Sequence, residues 1–164
     1  MKFMIKQESQ FSYELYESIN ELPEDDKWLL DQAREATQKA YAPYSRFQVG
    51  AVARLRNGEI VTGSNQENAS FPAGLCAERV VLAAIASLYP GEPMESMAIS
   101  YNNLNGESNR PITPCGICRQ ALQEFRDHTH SAFRLILGGM HGEVIVIPDA
   151  AMLLPLSFTG EHLR

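Results

Sequence analysis

The chain is organised around two short stretches, Cys76-Ala77-Glu78 and Pro114-Cys115-Gly116-Ile117-Cys118. Together they hold all three cysteines of the 164-residue sequence, and a glutamate follows the first cysteine by two positions. Three protein ligands are typical of a catalytic zinc ion, which keeps a fourth position open for water. Because Glu78 is too close to Cys76 in sequence to be a fourth ligand, we predict that it moves protons beside the metal.

The predicted site needs positive charge around it. Three thiolates on one Zn²⁺ ion leave a net negative charge, which by itself makes bound water a poor acid. Each cysteine motif is predicted to open a helix, and the positive ends of the two helix dipoles offset part of that charge. Arg79 directly follows Glu78 and is the candidate cation. With this help, zinc lowers the pKa of its water from about 15.7 to about 7 and provides hydroxide at neutral pH.

The spacing of Cys115 and Cys118 also allows other interpretations. An isolated pair of this kind is at least as often a redox pair or half of a structural zinc site. A structural site would require a fourth cysteine or histidine, and no histidine lies within or beside either motif. The absence of a fourth ligand therefore favours an open, catalytic site.

Charge and cysteine content limit the partners and the compartment. The formal net charge of -6 opposes binding to a phosphate backbone, so we expect no nucleic-acid partner. Three cysteines leave one without a disulfide partner, which indicates a reducing compartment. The apolar run at the N-terminus is too short for a signal peptide or a membrane span, so we expect a cytoplasmic protein with no membrane partner.

The hydrophobic pattern predicts an α/β fold. A helix is expected from near Pro23, and alternating apolar residues from Val49 followed by Asn57-Gly58 predict a β-hairpin. Further helices are expected from Cys76 and after Pro114. Strands are predicted at residues 94–101, 134–137 and 144–147. Because strands and helices alternate after the hairpin, we expect about five strands in one mixed sheet with helices on its faces.

Three finer expectations concern the helices. Residues 80–86 are apolar on every side, so the helix from Cys76 is expected to be covered all round. In the helix after Pro114, Arg119 and Gln123 are expected to face outwards, with Ile117 and Leu122 inwards. Asp149 is predicted to cap a last short helix.

The chain is expected to form a single catalytic domain over residues 23–164, preceded by an N-terminal arm over residues 1–22. Phe11, Tyr13 and Leu15 alternate with polar residues, which indicates an extended segment. We expect this arm to lie on the surface of the domain or of a neighbouring subunit.

The two cysteine motifs resemble those of the zinc-dependent cytidine/deoxycytidylate deaminase family, whose signature includes a three-cysteine variant and a glutamate that is not a ligand. Three further blocks are similar to the small tetrameric cytidine deaminases, and the resemblance covers roughly residues 26–160 in unbroken order. The blocks are Tyr41-Ala42-Pro43-Tyr44-Ser45-Arg46-Phe47-Gln48-Val49-Gly50-Ala51, Asn65-Gln66-Glu67-Asn68-Ala69-Ser70-Phe71 and Leu153-Leu154-Pro155-Leu156-Ser157-Phe158.

The resemblance implies a three-layer α/β/α cytidine-deaminase-like fold and a role for each matched residue. Cys76, Cys115 and Cys118 would bind Zn²⁺, Glu78 would transfer protons, and Arg79 would restrain the thiolate charge. Asn65 and Glu67 would bind the ribose hydroxyls, and Phe47 and Phe158 would pack on the pyrimidine ring. Other substrate-binding residues would be Ala69 and Phe71, and Phe71 stands where relatives often carry tyrosine.

The implied activity is hydrolytic deamination of cytidine and deoxycytidine in pyrimidine salvage, by a homotetramer acting on a small-molecule nucleoside. Two alternatives stay open at this point. The substrate could be dCMP or a base in nucleic acid, although residues 102–110 offer only Arg110 for a phosphate. The chain could also be a structural zinc module or an inactive relative, although such a site has no use for Glu78.

Overall fold

The computed structural model describes residues 4–163, and the ends of the predicted arm and catalytic domain, residues 1–3 and 164, lie outside them. Six strands form one sheet in the order β1-β6-β5-β4-β2-β3. The parallel pair is β4–β5, and the other neighbours are antiparallel. The strands are β1 Glu14–Tyr16, β2 Phe47–Leu55, β3 Ile60–Ser64, β4 Met94–Asn103, β5 Arg134–Gly138 and β6 Val144–Ile147.

The predicted strand count of about five is one too low because the N-terminal segment adds a strand. Strand β1 pairs with β6, with Leu15 opposite Ile145, and forms one edge of the sheet. A strand of three residues depends on hydrogen bonds to its neighbour, here β6. The local sequence pattern indicates an extended segment but does not reveal this pairing. The division into an arm over residues 1–22 and a domain over 23–164 stays a prediction.

Three helices cover the two faces of the sheet: α1 Glu24–Ala36, α2 Ala77–Leu88 and α3 Gly116–Thr129. Helix α1 packs on one face, whereas α2 and α3 pack on the other. Side chains of strand β4 alternate between the two faces of the sheet. Met97 and Ile99 pack in the core beneath α2 and α3, and Ala98 packs in the core beneath α1. The predicted three-layer α/β/α architecture with a mixed sheet is confirmed.

The hairpin brings α2 against the sheet at close range. Gly58 at its turn has a φ of +89°, the left-handed conformation that Asn-Gly turns favour. In β3, a Cβ atom on Gly63 would lie 2.9 Å from Cγ2 of Val81 and 3.0 Å from the carbonyl oxygen of Ala77. Only glycine therefore allows the first turn of α2, which carries Glu78, to sit this close to the sheet.

Two finer expectations about the helices are wrong, and one is confirmed. Helix α2 is not covered on all sides in the single chain, because Val81 is buried while Ala83 and Leu88 are exposed. The predicted faces of α3 are wrong at three positions: Gln123 is buried, Arg119 is half-buried among hydrogen-bond acceptors, and Ile117 is exposed. Leu122 is buried, as predicted. The predicted cap is present, since Asp149 accepts a hydrogen bond from the backbone N–H of Ala151 at 3.0 Å.

Among residues 4–163, no helix combines the length and the apolar character that crossing a membrane requires.

Candidate active site

The fold brings the three cysteine side chains together at the N-terminal ends of α2 and α3. Cys76 precedes α2, Cys115 precedes α3, and Cys118 lies in the first turn of α3. The sulfur of Cys115 lies 3.8 Å from that of Cys76 and 3.5 Å from that of Cys118. All three sulfur atoms lie within 4.8 Å of one another, so a single metal ion could contact them all.

The Cys76 and Cys118 thiols oppose each other's ionisation when no cation lies between them. Hydrogen bonding with Cys118, supported by Cys115 and by the positive charge of Arg79, lowers the pKa of Cys76 to about 6. The same contact with Cys76, together with burial and the nearby charge of Glu78, raises the pKa of Cys118. A metal ion removes this conflict because it binds thiolates and replaces their protons.

The residues present fit a zinc ion. Sulfur ligands in this number suit zinc, and no fourth cysteine or histidine approaches the cluster within the described part of the chain. Both helices begin at a ligand and direct the positive ends of their dipoles at the sulfur atoms. The cysteine cluster could thus hold the metal ion that the sequence motifs predict.

Glu78 lies beside this cluster in a largely dry position. It occupies the first turn of α2, and only 5% of its surface is exposed. Burial raises the pKa of its carboxyl group above the usual range. A raised pKa makes the carboxylate a stronger proton acceptor, which suits a group that carries protons.

Glu78 and the sulfur cluster open onto a cavity of about 470 Å³. This volume suits a small molecule rather than a macromolecule. The predicted site residues that line the cavity are Cys76, Glu78, Arg79, Cys115, Asn65, Glu67 and Phe71. Apolar residues without a predicted role in the site also line the cavity, among them Val49, Leu75, Ile112 and Ile117.

Asn65 lies at the wall of the cavity and joins β3 to β2. Its Oδ1 atom accepts a hydrogen bond of 2.7 Å from the backbone N–H of Val49, and its Nδ2 atom donates one of 2.9 Å to the carbonyl oxygen of Phe47. Each end of the amide retains one further hydrogen-bonding position. Asn65 can therefore hold the strand end and contact a ligand at once.

Glu67 is tied to the loop between α1 and β2. One carboxylate oxygen accepts hydrogen bonds from the backbone N–H groups of Tyr44 and Ser45, at 2.8 and 3.3 Å. The Ser45 side chain, and then these N–H groups, lower the pKa of Glu67. Glu67 is thus ionised at neutral pH and faces the cavity as a hydrogen-bond acceptor.

Three other predicted substrate-binding residues lie outside the lining of this cavity. The Phe47 ring stacks on Tyr101 with centroids 4.9 Å apart, and Phe158 stacks on His162 at 5.5 Å. Ala69 is exposed on the loop before Phe71. Phe71 itself is at the cavity with 76% of its surface exposed. Their roles toward a substrate stay predictions.

Arg119 is a residue of this site that sequence reasoning missed. Its guanidinium group donates hydrogen bonds to the carbonyl oxygens of Pro114 and Leu153, at 2.8 and 3.1 Å, and to the hydroxyl of Thr113 at 3.2 Å. The only available signal was its position directly after Cys118, because its place on the helix wheel suggested solvent.

The fold and the site define an α/β/α enzyme with three clustered cysteines that could hold a metal ion and a buried carboxyl group beside them. Residues 23–133 match the family model described as "Cytidine and deoxycytidylate deaminase zinc-binding region". The chain belongs to this family, as its motifs predicted.

Similar proteins agree over most of the chain. A cytidine deaminase of Halalkalibacterium halodurans is 35% identical over 140 residues, which are 85% of this chain and 98% of that protein. The crystal structure of cytidine deaminase from Burkholderia pseudomallei has a TM-score of 0.68 and 40% identity, over 80% of this chain and 97% of the other. The crystal structure of cytidine deaminase from Mycobacterium tuberculosis has a TM-score of 0.63 and 33% identity, over 82% of this chain and 97% of the other.

Proposed function

We propose that the protein catalyses the zinc-dependent hydrolytic deamination of cytidine and 2′-deoxycytidine, giving uridine and 2′-deoxyuridine plus ammonia. The observation that carries this proposal is the three-cysteine cluster with buried Glu78 on one cavity, in a chain of the deaminase family. Similarity to cytidine deaminases over nearly their whole length supports the choice of substrate.

The cysteines and Glu78 divide the work between them. Cys76, Cys115 and Cys118 would hold the zinc ion, which when bound would lower the pKa of the attacking water. Glu78 would accept a proton from the attacking water and pass it to N3 of the pyrimidine. It would then take the remaining hydroxyl proton of the C4 adduct and give it to the amino group, which leaves as ammonia while C4 becomes a carbonyl carbon. Its raised pKa suits both halves of this transfer. Arg79, at the same cavity, offsets part of the thiolate charge.

In this proposal, polar side chains bind the sugar of the nucleoside and aromatic side chains bind its base. Asn65 and Glu67 offer a donor and an acceptor for a sugar hydroxyl, which is itself both a donor and an acceptor. Phe47 and Phe158 pack on the flat base, and Ala69 and Phe71 complete the wall around the sugar. Since Phe47, Phe158 and Ala69 do not line the cavity of the single chain, this part of the proposal requires substrate binding or a second subunit to bring them closer.

A free nucleoside fits the charges better than a nucleotide does. Among the described residues that line the cavity, Arg79 is the only basic side chain, and it lies beside the thiolates. A phosphate group in the cavity would thus have no basic side chain available for an ion pair, and the net charge of -6 would repel it. We accordingly propose neither nucleic acid nor membrane as a partner.

The activity is tested by measuring ammonia release from cytidine, deoxycytidine and dCMP at equal concentration. We expect turnover of the two nucleosides, little turnover of dCMP, and a loss of at least 100-fold in Glu78→Gln with zinc retained. Glu124→Gln, which removes an exposed carboxylate from α3, should retain full activity. Wild-type protein that holds one zinc ion per chain and leaves all three compounds unchanged would contradict the proposal.

The proposed assembly is a homotetramer in the cytoplasm. The exposed apolar residues of α2, such as Ala83 and Leu88, suit a contact between subunits. Three reduced cysteines at a metal site suit a reducing compartment. Light scattering should give four times the 18.3 kDa chain mass, and a monomer mass would contradict the assembly. The catalytic domain is proposed to span residues 23–164, with 1–22 as its arm.

A further inference from the structure

Arg119 contacts the metal-binding loop and the C-terminal segment at the same time. It follows Cys118 in α3, and its backbone N–H donates to the carbonyl oxygen of Cys115 at 2.9 Å. Its Nε atom donates to the carbonyl oxygen of Pro114, and Nη2 donates to the hydroxyl of Thr113. Cys115 is therefore held through its own carbonyl oxygen and through the two residues before it.

The third contact of the guanidinium group anchors this loop to the core. Nη1 donates to the carbonyl oxygen of Leu153, whose side chain packs in the core beneath α2 and α3. The next residue, Gln120, donates from Nε2 to the carbonyl oxygen of Phe158 at 2.9 Å. Two successive residues of α3 thus fix the segment from Leu153 to Phe158 next to the cysteine loop.

The charge of Arg119 is not neutralised by a carboxylate. None of the ion pairs formed within residues 4–163 includes it, and all three of its acceptors are neutral oxygen atoms. Arg126, seven residues later on α3, differs in this respect because it forms a bidentate ion pair with Asp149, with Nε donating to Oδ1 and Nη2 to Oδ2. Both arginines hold the C-terminal segment, but only Arg119 contacts the residues that present Cys115.

We propose that Arg119 is a positioning residue for the metal site, which fixes the loop presenting Cys115 and joins it to the segment that ends in Phe158. This role rests on zinc binding by the three cysteines, as in the proposed function. A planar guanidinium group can donate to three acceptors in fixed directions. The ammonium group of a lysine cannot reproduce this arrangement of donors. Loss of Arg119 should therefore leave Cys115 free to move from the position that a bound metal requires.

The test compares Arg119→Met with Arg126→Met as a matched control. Both substitutions release the C-terminal segment from α3 and should lower the melting temperature. Zinc affinity is then measured in the folded proteins by competition with a metal-sensitive chelating dye. We expect Arg119→Met to bind zinc about 10–100-fold more weakly than wild type, the usual effect of losing a residue that orients a metal ligand. Arg126→Met should stay within about twofold of wild type.

A second variant covers the case in which Arg119→Met does not fold. Arg119→Lys keeps the positive charge and the helix propensity but loses the planar set of N–H donors. Its zinc affinity should therefore also fall by at least about fivefold. Equal zinc affinity in the folded Arg119 variant and Arg126→Met would overturn the positioning role. Wild-type protein that binds no zinc or releases no ammonia from cytidine would instead overturn the proposed function, so the two failures are distinguishable.

Discussion

The carboxylate of Glu67 accepts a hydrogen bond of 2.8 Å from the backbone N–H of Tyr44, a residue 23 positions earlier in the chain. This contact joins two of the sequence blocks that carry the family resemblance. The block containing Glu67 lines the cavity, and the block containing Tyr44 leads into β2. A residue proposed to bind sugar therefore also shapes the loop beside it.

The first prediction concerns the pH dependence of this contact. Hydrogen bonding with Ser45 and Tyr44 lowers the pKa of Glu67, so the carboxylate persists below its ordinary pKa of about 4.3. The stabilisation of the loop is complete above that value and is lost as the pH falls through the lower, folded-state pKa. NMR should show the Tyr44 and Ser45 amide signals titrating in this acidic range. The titration should disappear in Glu67→Gln, and an unchanged titration there would contradict the assignment.

The second prediction concerns the metal. Cys118→Ser replaces a buried sulfur ligand by a hydroxyl that stays protonated at neutral pH. We expect zinc content after dialysis to fall well below one ion per chain and ammonia release to fall by at least about 100-fold. Zinc content is measured by mass spectrometry of the metal. A serine variant with full zinc and full activity would show that Cys118 is not a ligand.

The third prediction concerns the close approach of α2 to β3. Gly63→Ala places a methyl group 2.9 Å from Val81 and 3.0 Å from a backbone carbonyl oxygen, so the free energy of unfolding should fall by about 1–3 kcal/mol. Gly160→Ala is the control, because a Cβ atom there meets nothing within 4 Å. Urea unfolding of both variants measures the difference. An equal effect of the two changes would contradict the tight packing.

The fourth prediction concerns Phe158. With 58% of its surface exposed, its side chain contributes little to stability in the single chain. If it packs on the pyrimidine, Phe158→Ala should raise the KM for cytidine by about 10-fold, the loss of roughly one aromatic contact. The control is Phe11→Ala, which removes a similarly exposed ring from the arm. Equal KM values in both variants would exclude Phe158 from the site.

The elements that form by local pattern were predictable from the sequence. The hairpin at Asn57-Gly58 and the helix after Pro23 follow from turn chemistry and helical spacing, and the structure has both. The cysteine cluster was also predictable, because Cys115 and Cys118 share one turn and, with Cys76, they give the three protein ligands that a catalytic zinc ion needs.

Features that depend on contacts between distant parts of the chain could not be predicted from local sequence patterns. Arg119 is polar, and helical spacing predicts that it lies on the outer face of α3. Its partners Pro114 and Leu153, however, come from a loop and from the short helix that Asp149 caps. Nor does spacing along the chain reveal that Phe47 stacks on Tyr101, since that contact depends on the register of β2 against β4. Residues 80–86 of α2 are apolar on every side of the helix, but which side is covered depends on its packing against the sheet.

The three-residue strand β1 has a consequence for self-association. Without it, β6 would be the edge of the sheet, and its sequence Val144-Ile145-Val146-Ile147 is rich in β-branched residues with high β propensity. An uncovered apolar edge of this kind is a template for pairing with other chains and for aggregation. The N-terminal segment, which precedes the family domain, therefore protects this edge by offering only a short strand in its place.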